Sequence, residues 1–466
     1  MFDLTKTNFV FLLADQFRAD CLCSGNRYGV KTPNLDALAA ESAVYTNAFT
    51  PMPVCAPVRQ SLLSGRHPDA IGAFWNYDFF ATRTIVPGST WPEQLRDLGY
   101  QGAYLGKWHC SPEYGPRDFG YTDVIGWDAH KALLKEKYPD AQMTGGWLGC
   151  ESPIPVEDSQ THWLASQAIR KIRDYARADQ PFHIWVDWGI PHLPCQPSEP
   201  FALMYRCEDI QPWDGFDDPF INKPYCQRQQ AINWGLDGCS WDDIAPMVAR
   251  YFAMISQLDD CIGNILQAIK EEGIWDNTVI VFTSDHGDMC GSHRMLDKHY
   301  VLFDDVTRIP LIVHAPGQSH YKSDALVSGC LDTEATIRRL LSLPKNENAH
   351  GKALPLCAQE DTDRREYITS SANGQQFGLY CSRMISDGRF KYIWNMTDMD
   401  EFYDLNIDPG EKENLIDSPV HRDRISAMRK SLHAELIAHE DPFIGKGWLD
   451  RQLLNDRQHT GPTGLA

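Results

Sequence analysis

The chain has 466 residues, 43% of them hydrophobic and 23% charged, with 14 tryptophans and a formal net charge of −20. That is enough apolar chain for a large core and too much for one small domain. The acidic balance argues against nucleic acid or an anionic membrane surface as partner, and an anionic substrate would need a positive pocket built against the global field.

The N-terminal Met1-Phe2-Asp3-Leu4-Thr5-Lys6 lacks the basic segment and apolar run of an export signal, and no apolar run approaches the length of a membrane span. Residues 8–13 (NFVFLL) suit a buried strand of a parallel sheet, with Asp15 and Gln16 directly after it. Thr32-Pro33 opens a helix through Leu35, Leu38 and Ala39, with Thr32 as N-cap and Pro33 at the first helical position. A helical stretch from about Val58 to Leu63 follows Cys55. Trp91 to Leu98 reads as a helix, Gly102 to Leu105 as a strand leading to Lys107 and His109, and Phe182 to Val186 as a strand ending near Pro191-His192. Cys195 to Gly238 has no clear periodicity and is expected to be a long loop region. Together with the loops Trp75–Phe80 and Tyr138–Pro155 it is where specificity is expected.

Asp243 to Lys270 is the clearest helix, with Ile244, Met247, Val248, Tyr251, Met254, Leu258, Ile262, Ile265 and Ile269 at helical spacing and a Ser240/Asp243 capping box. Thr278 to Phe282 is an apolar strand, and Ser284-Asp285-His286-Gly287 sits at its end. Strands alternating with helices predict an α/β fold with a largely parallel sheet flanked by helices, over about residues 1–360. Ligands of such sheets bind beyond the carboxyl ends of strands, where Asp15, Lys107, His192 and Asp285 all fall. From about Asp361 the texture changes. Leu379–Ile385, Phe390–Trp394 and Glu401–Leu405 read as strands and Asp423–His439 as a helix, which predicts a smaller C-terminal subdomain, an antiparallel sheet plus helix with a tail, over 361–466. The 14 cysteines are scattered, only Cys21 and Cys23 close together and none in a Cys-x-x-Cys pair. Reduced thiols in a cytoplasmic protein are the expectation.

Cys55, Pro57, Arg59 and Gly65, in CAPVRQSLLSG, carry the most specific pattern. Its spacing resembles the signature of the type I sulfatases of the alkaline phosphatase superfamily, whose cysteine is oxidised to formylglycine. The chemistry explains why. A thiol attacks well, but a sulfated thiol has no easy exit. A hydrated aldehyde carries two hydroxyls, one to attack sulfur and one to collapse and expel sulfate, so one hard step becomes two easier ones.

The resemblance extends to Thr-Pro-Asn-Leu at Asn34, Arg308-Ile309-Pro310-Leu311, Tyr403-Asp404-Leu405 and Asp408-Pro409-Gly410-Glu411, in the family's order over residues 8–415. It implies an alkaline-phosphatase-like fold and one divalent cation held by Asp15, Gln16, Asp285, His286 and the oxygen on modified Cys55. Each pair follows a strand, so the carboxylates can converge on one ion. Taken alone, Asp285-His286-Gly287-Asp288 equally suits a turn after a strand. Many sulfatases carry a second Asp where this chain has Gln16, and Asn where it has His286. The Asp-His pair is similar to that of choline sulfatases, phosphonate monoester hydrolases and some carbohydrate sulfatases. Ca²⁺ is the expected ion, with Mn²⁺ admitted by the imidazole. The family assigns catalytic contacts to Arg59, Lys107, His109, His192 and Lys298: Arg59 holds the hydrate and a sulfate oxygen, Lys107 and His109 contact formylglycine and the ester oxygen, His192 contacts sulfate or protonates the leaving group, and Lys298 binds sulfate or acts as general acid. Asp297 orients Lys298 in this reading, and His293 and His299 stand near as supporting groups or as a solvated loop. Residues 74–80 (FWNYDFF) form either an aromatic wall for a substrate or core.

The expected function is hydrolysis of a small sulfate monoester, on a sugar, choline or an aryl group, after a formylglycine-generating enzyme has modified Cys55. A phosphonate monoester or phosphodiester hydrolase of the same superfamily is the alternative. Further off stand a silent sulfatase-like binding protein with Cys55 unmodified, and a thiol hydrolase using Cys55 and His109. The tail after Gly447 leaves a homo-oligomer open.

Overall fold

The computed structural model describes residues 7–22, 25–77, 82–178, 180–298, 300–374, 378–445 and 447–457. Nine strands form the main sheet: β1 (Asn8–Asp15), β2 (Ala43–Phe49), β3 (Gln101–Gly106), β4 (Asp123–Ile125), β5 (Phe182–Pro191), β6 (Thr278–Ser284), β7 (Arg308–Ile309), β8 (Leu311–His314) and β9 (Tyr321–Ser328). Their order is β4-β3-β5-β1-β6-β8-β2-β7, with β9 paired to β2. The run from β4 to β6 is parallel, while β8 runs antiparallel to both β6 and β2. A mixed but mostly parallel sheet results.

Strand β1 is buried along its whole length because both faces of the sheet are covered. Val10, Leu12 and Ala14 pack into one core with Leu164, Ile172, Tyr251 and Ile262 of the helices Gln160–Ala176 and Trp241–Glu271. Phe9, Phe11 and Leu13 point the other way, into a core with Val58, Leu62, Trp91 and Ile337. The long helix begins at the expected box: the Ser240 N–H donates to Asp243 Oδ2 at 2.8 Å. Its Tyr251, Ile255, Leu258, Ile262, Ile265 and Ile269 are fully buried, a gross burial contribution on the order of 10 kcal/mol before chain entropy is charged. None of the described helices is long and apolar enough to cross a membrane.

A second, four-stranded antiparallel sheet consists of β10 (Ile368–Ala372), β11 (Ser382–Ser386), β12 (Phe390–Asn395) and β13 (Glu401–Asp404). Its alternation settles its packing. Ile385, Tyr392, Trp394 and Phe402 face Ile425, Met428 and Leu432 of the helix Arg422–Ala438. Met384, Ile393 and Tyr403 face Phe49, Met295 and Phe303 of the larger unit.

Several local expectations change. The helix expected from about Val58 begins at Cys55 and runs to Ser64, so Cys55 itself stands at the helix N-terminus. Thr32 does not cap the helix Pro33–Ala40; its hydroxyl turns to Asp36, and Asp259 accepts from the Asn34 and Leu35 N–H groups at 3.1 and 2.8 Å. A tertiary carboxylate on the long helix outcompetes the local hydroxyl. The Cys195–Gly238 region holds a helix, Tyr225–Asn233, besides short turns. Strand β10 was not among the expected elements.

Candidate functional site

Adjacent parallel strands β3, β1 and β6 end at one level and β5 passes through it, with Gly106 opposite Asp187, Asp187 opposite Leu13, and Ala14 opposite Ser284. Three strand ends and one position inside β5, which runs on to Pro191, therefore deliver Lys107, Asp15, Asp285 and Asp187 to one place. Gly106 makes the approach possible, since a Cβ there would lie 2.0 Å from the Asp187 carbonyl oxygen. The Lys107 N–H donates to that same oxygen at 3.0 Å.

One ligand atom each from Asp15, Cys55, Asp285 and His286 lies within 4.8 Å of the others, and all four residues are buried. The Cys55 Sγ sits 3.3 Å from His286 Nε2 and 3.7 Å from Asp15 Oδ1. His286 Nδ1 lies 2.8 Å from the Gly287 carbonyl oxygen, a bond it makes by donating, which leaves the Nε2 lone pair facing Cys55 and Asp285. That is how a backbone carbonyl orients a ligating imidazole. Gln16 has a left-handed backbone, φ 66°. Its N–H donates to Asp285 Oδ1 at 3.1 Å and its side-chain amide donates to Asp297. The Gln16 Oε1 is buried with no hydrogen-bond partner among the described residues. Two carboxylates, an imidazole lone pair and an orphaned amide oxygen form a donor set that a divalent cation fits.

Arg59 is fully buried and turns to carboxylates. Its Nε and Nη2 donate to Asp187 at 3.1 and 2.9 Å, Nη2 also reaches Asp15 Oδ2 at 3.2 Å, and Nη1 bonds Asp285. The guanidinium thus clamps three carboxylates. Asp187 was absent from the candidates; it is the one carboxylate of the four positions that lies inside its strand, β5 running on to Pro191, and an acidic residue set between the apolar run 182–186 and Trp188 was the available signal. Burial pushes the Asp187 carboxyl up to about 7, against the pull of Arg59. The Tyr104 hydroxyl lies 3.0 Å from it.

The remaining cations ring the thiol. Lys107 bonds Asp15. Burial and Cys55 push the Asp15 carboxyl up, but Lys107, Arg59 and His192 outweigh them and bring it down to about 2. Lys298 is buried, lies 3.0 Å from Asp297 Oδ1, and donates to His192 Nε2 at 3.3 Å. His192 Nδ1 is 2.6 Å from the Leu193 carbonyl oxygen, which turns Nε2 toward Lys298. His109 stands close enough to Cys55 to favour its thiolate, and its ring meets Tyr77 edge-on at 5.0 Å. Burial opposes ionisation of Cys55, yet Lys107, Lys298, His286 and His109 bring its pKa well below that of an ordinary thiol. Its place at a helix N-terminus acts in the same direction. Asn76 accepts from the Ala56 N–H at 3.1 Å and fixes that first turn.

Other candidates lie apart. His293 is buried and stacks on Phe303 with its Nδ1 2.7 Å from Asp218, away from the thiol's partners. Trp75 packs with Met52 and Val54 as core. His299 and residues 78–80 of the aromatic run lie outside the described residues.

The sulfatase family profile matches residues 7–342. The chain belongs to the sulfatase family and is a hydrolase of sulfate esters. A second profile, for the C-terminal part of N-sulphoglucosamine sulphohydrolase, matches residues 291–438. The chain is 28% identical to the uncharacterized sulfatase YidJ of Escherichia coli, over 97% of this chain and 92% of that protein. It is 27% identical to an arylsulfatase of Clostridium perfringens, over 94% and 96%. The phosphonate monoester hydrolase structure from Agrobacterium radiobacter superposes with a TM-score of 0.78 at 23% identity, covering 93% of this chain and 95% of that one. This last likeness concerns the fold.

Proposed function

We propose that this sulfatase cleaves a small sulfate monoester to alcohol and sulfate with a formylglycine hydrate derived from Cys55. One observation carries the reading. Residue 55 lies inside the ligand cluster itself, with Asp15, Asp285 and His286, and is ringed by Lys107, Lys298 and His109. A formylglycine there supplies two hydroxyls, one to attack sulfur and one to expel the sulfate, and a divalent cation on Asp15, Gln16, Asp285 and His286 supplies positive charge beside them. The oxygen-rich donors favour calcium, and the imidazole of His286 admits manganese. Asp285 and Cys55 raise the His286 pKa despite burial, so proton and cation compete for Nε2.

The protein's own groups do the rest. Arg59 holds Asp15, Asp187 and Asp285 in fixed orientation without reaching out of the cluster. Lys107 and Lys298 present the charge that a sulfate ester needs in an acidic protein, and each such contact in a dry site contributes about 3 kcal/mol to the transition state. His192 Nε2 accepts from Lys298, which makes the Lys298 ammonium the source of the proton that the leaving alcohol needs, passed directly or through His192. A formylglycine-generating enzyme is the implied maturation partner.

The test is hydrolysis of an aryl sulfate against the matched aryl phosphonate, together with the mass of the Cys55 peptide from the native host. A faster sulfate reaction and an oxidised Cys55 are expected. Preference for the phosphonate, or a free thiol in active protein, refutes the reading.

A further inference from the structure

The cavity beside Lys107 and His192 has a volume of about 430 Å³, within the range of small-molecule sites. It opens from the end of β5, and its walls come from the helix Trp127–Lys137, the start of the helix Gln160–Ala176, and the loops around Ile154 and Gln196. Among the described lining residues there is no carboxylate. Lys107 and Lys131 are there instead.

Trp127 forms one wall. Its six-membered ring lies against Gly189, where a Cβ would come within 2.9 Å of Cζ2, so the indole packs on the backbone of the strand that carries Asp187 and His192. The Trp127 Nε1–H is buried without a partner among the described residues, and so is the Oγ of Ser198, itself 1% exposed. Both residues line the cavity, as do the half-buried Gln160 and Gln196. Polar groups gathered without partners around a cavity are costly unless water or a ligand satisfies them.

Building on the sulfate-ester reading, we infer that this cavity is the leaving-group subsite and takes a polyhydroxylated ring of monosaccharide size, with Trp127 as its platform and Gln160, Gln196 and Ser198 as its hydroxyl readers. A sugar ring offers an apolar face to an indole and hydroxyls to amides. A quaternary ammonium finds lysines and no carboxylate. A plain aryl group stacks on Trp127 but leaves the amides and Ser198 unpaired, the situation that a site built for hydroxyls penalises most.

The experiment uses purified formylglycine-bearing, metal-loaded enzyme with monosulfated hexoses differing in sulfate position, choline sulfate and 4-nitrophenyl sulfate. The kcat/KM for the best hexose sulfate is expected to exceed that for choline sulfate by about 100-fold or more. In the Gln160→Leu/Gln196→Leu double variant, the ratio of hexose-sulfate to aryl-sulfate kcat/KM should fall at least about tenfold. Choline sulfate turned over as well as any hexose sulfate, or an unchanged ratio in the double variant, overturns the assignment. If no sulfate ester is cleaved at all, the function proposed above fails, and the subsite is judged by calorimetric binding of the same sulfated hexoses to Cys55→Ala protein. Heat that the double variant abolishes supports it; no heat refutes it.

Discussion

Two arginines, both fully buried and both holding carboxylates, do different jobs in this molecule. Arg383, on β11, bonds Asp441 at 2.6 Å and Asp69 at 3.2 Å, and its remaining N–H groups go to Asn373 Oδ1 and to the Ser382 and Ala372 carbonyls. Asp441 in turn accepts from the Phe443 N–H, and Asp69 accepts from the Asn373 amide. Apart from Asp69 Oδ2, which faces His67 Nδ1 at 3.3 Å, the cluster closes on itself with neutral groups and ties the C-terminal sheet to the helix that follows Gly65-Arg66-His67. Arg59 bonds carboxylates alone, and beside it ligand atoms of Asp15, Cys55, Asp285 and His286 converge, while the neighbouring Gln16 Oε1 is left without a partner among the described residues. A buried charge cluster is therefore read by what it leaves over. Saturation marks a structural tie; a convergence of spare acceptors marks a place for a cation and a reaction.

Removing a group from the open cluster should abolish chemistry and spare the fold. Cys55→Ala is expected to lower kcat on an aryl sulfate by at least about 1,000-fold with urea unfolding close to wild type, and Lys298→Ala to lower kcat per folded enzyme by about 100-fold or more. Near-normal turnover in either variant breaks the distinction. The closed cluster should respond the opposite way. Arg383→Met strands two buried carboxylates, so about 3–5 kcal/mol of stability should be lost in urea titrations, while kcat per folded enzyme stays the same. A smaller effect sharpens the boundary: Gln16→Leu deletes the orphaned acceptor, and metal affinity measured by competition with a chelator should weaken about 10–100-fold. Unaltered affinity would mean that Gln16 serves only to position Asp297.

Much of the open cluster was legible in the sequence because parallel strands deliver their C-terminal residues to one edge, so Asp15, Lys107 and Asp285 announce themselves by following apolar runs. Gln16 and Lys298 were legible through family likeness. Asp187 was not, because β5 continues four residues beyond it to Pro191 and the residue lies within the strand, not after it. The carboxylate partners of Arg59 were not legible either: position along a helix cannot tell which way a guanidinium turns when three carboxylates compete for it. The closed cluster left no trace in sequence, since Asp69, Arg383 and Asp441 meet only through tertiary packing. The helix Tyr225–Asn233 was hidden for a related reason, its buried face being Cys226, Gln227, Gln230 and Ala231, mostly polar or small.

The smallest expected effect concerns pH and belongs to the closed side. His67, next to Asp69, stacks on His439 at 5.1 Å, and His350 lies 5.6 Å from the same ring. Burial, with help from His67 and Arg66, holds His350 down at about 4. Burial, with help from His67, His350 and Arg365, holds His439 down at about 3. An unfolded histidine titrates near about 6.5, so below that pH the unfolded chain binds protons that the native chain refuses. Stability should therefore fall as pH drops from about 6.5 toward 4, and the loss saturates once the native histidines also protonate. Asp69, which Arg383 and His67 hold below the usual carboxylate range against its burial, adds its own acid loss only below its unfolded pKa of about 3.9, outside the window between pH 6.5 and 5. Glu435, raised by burial, and the exposed Glu440 face the same rings and act in both proteins of the comparison. His439→Gln keeps a polar side chain and removes the titration, so its urea midpoint should decline less than that of wild type across that window. Parallel slopes in the two proteins would show that acid acts elsewhere, and that the histidine stack, unlike Arg383, does not bear on how the two sheets are held together.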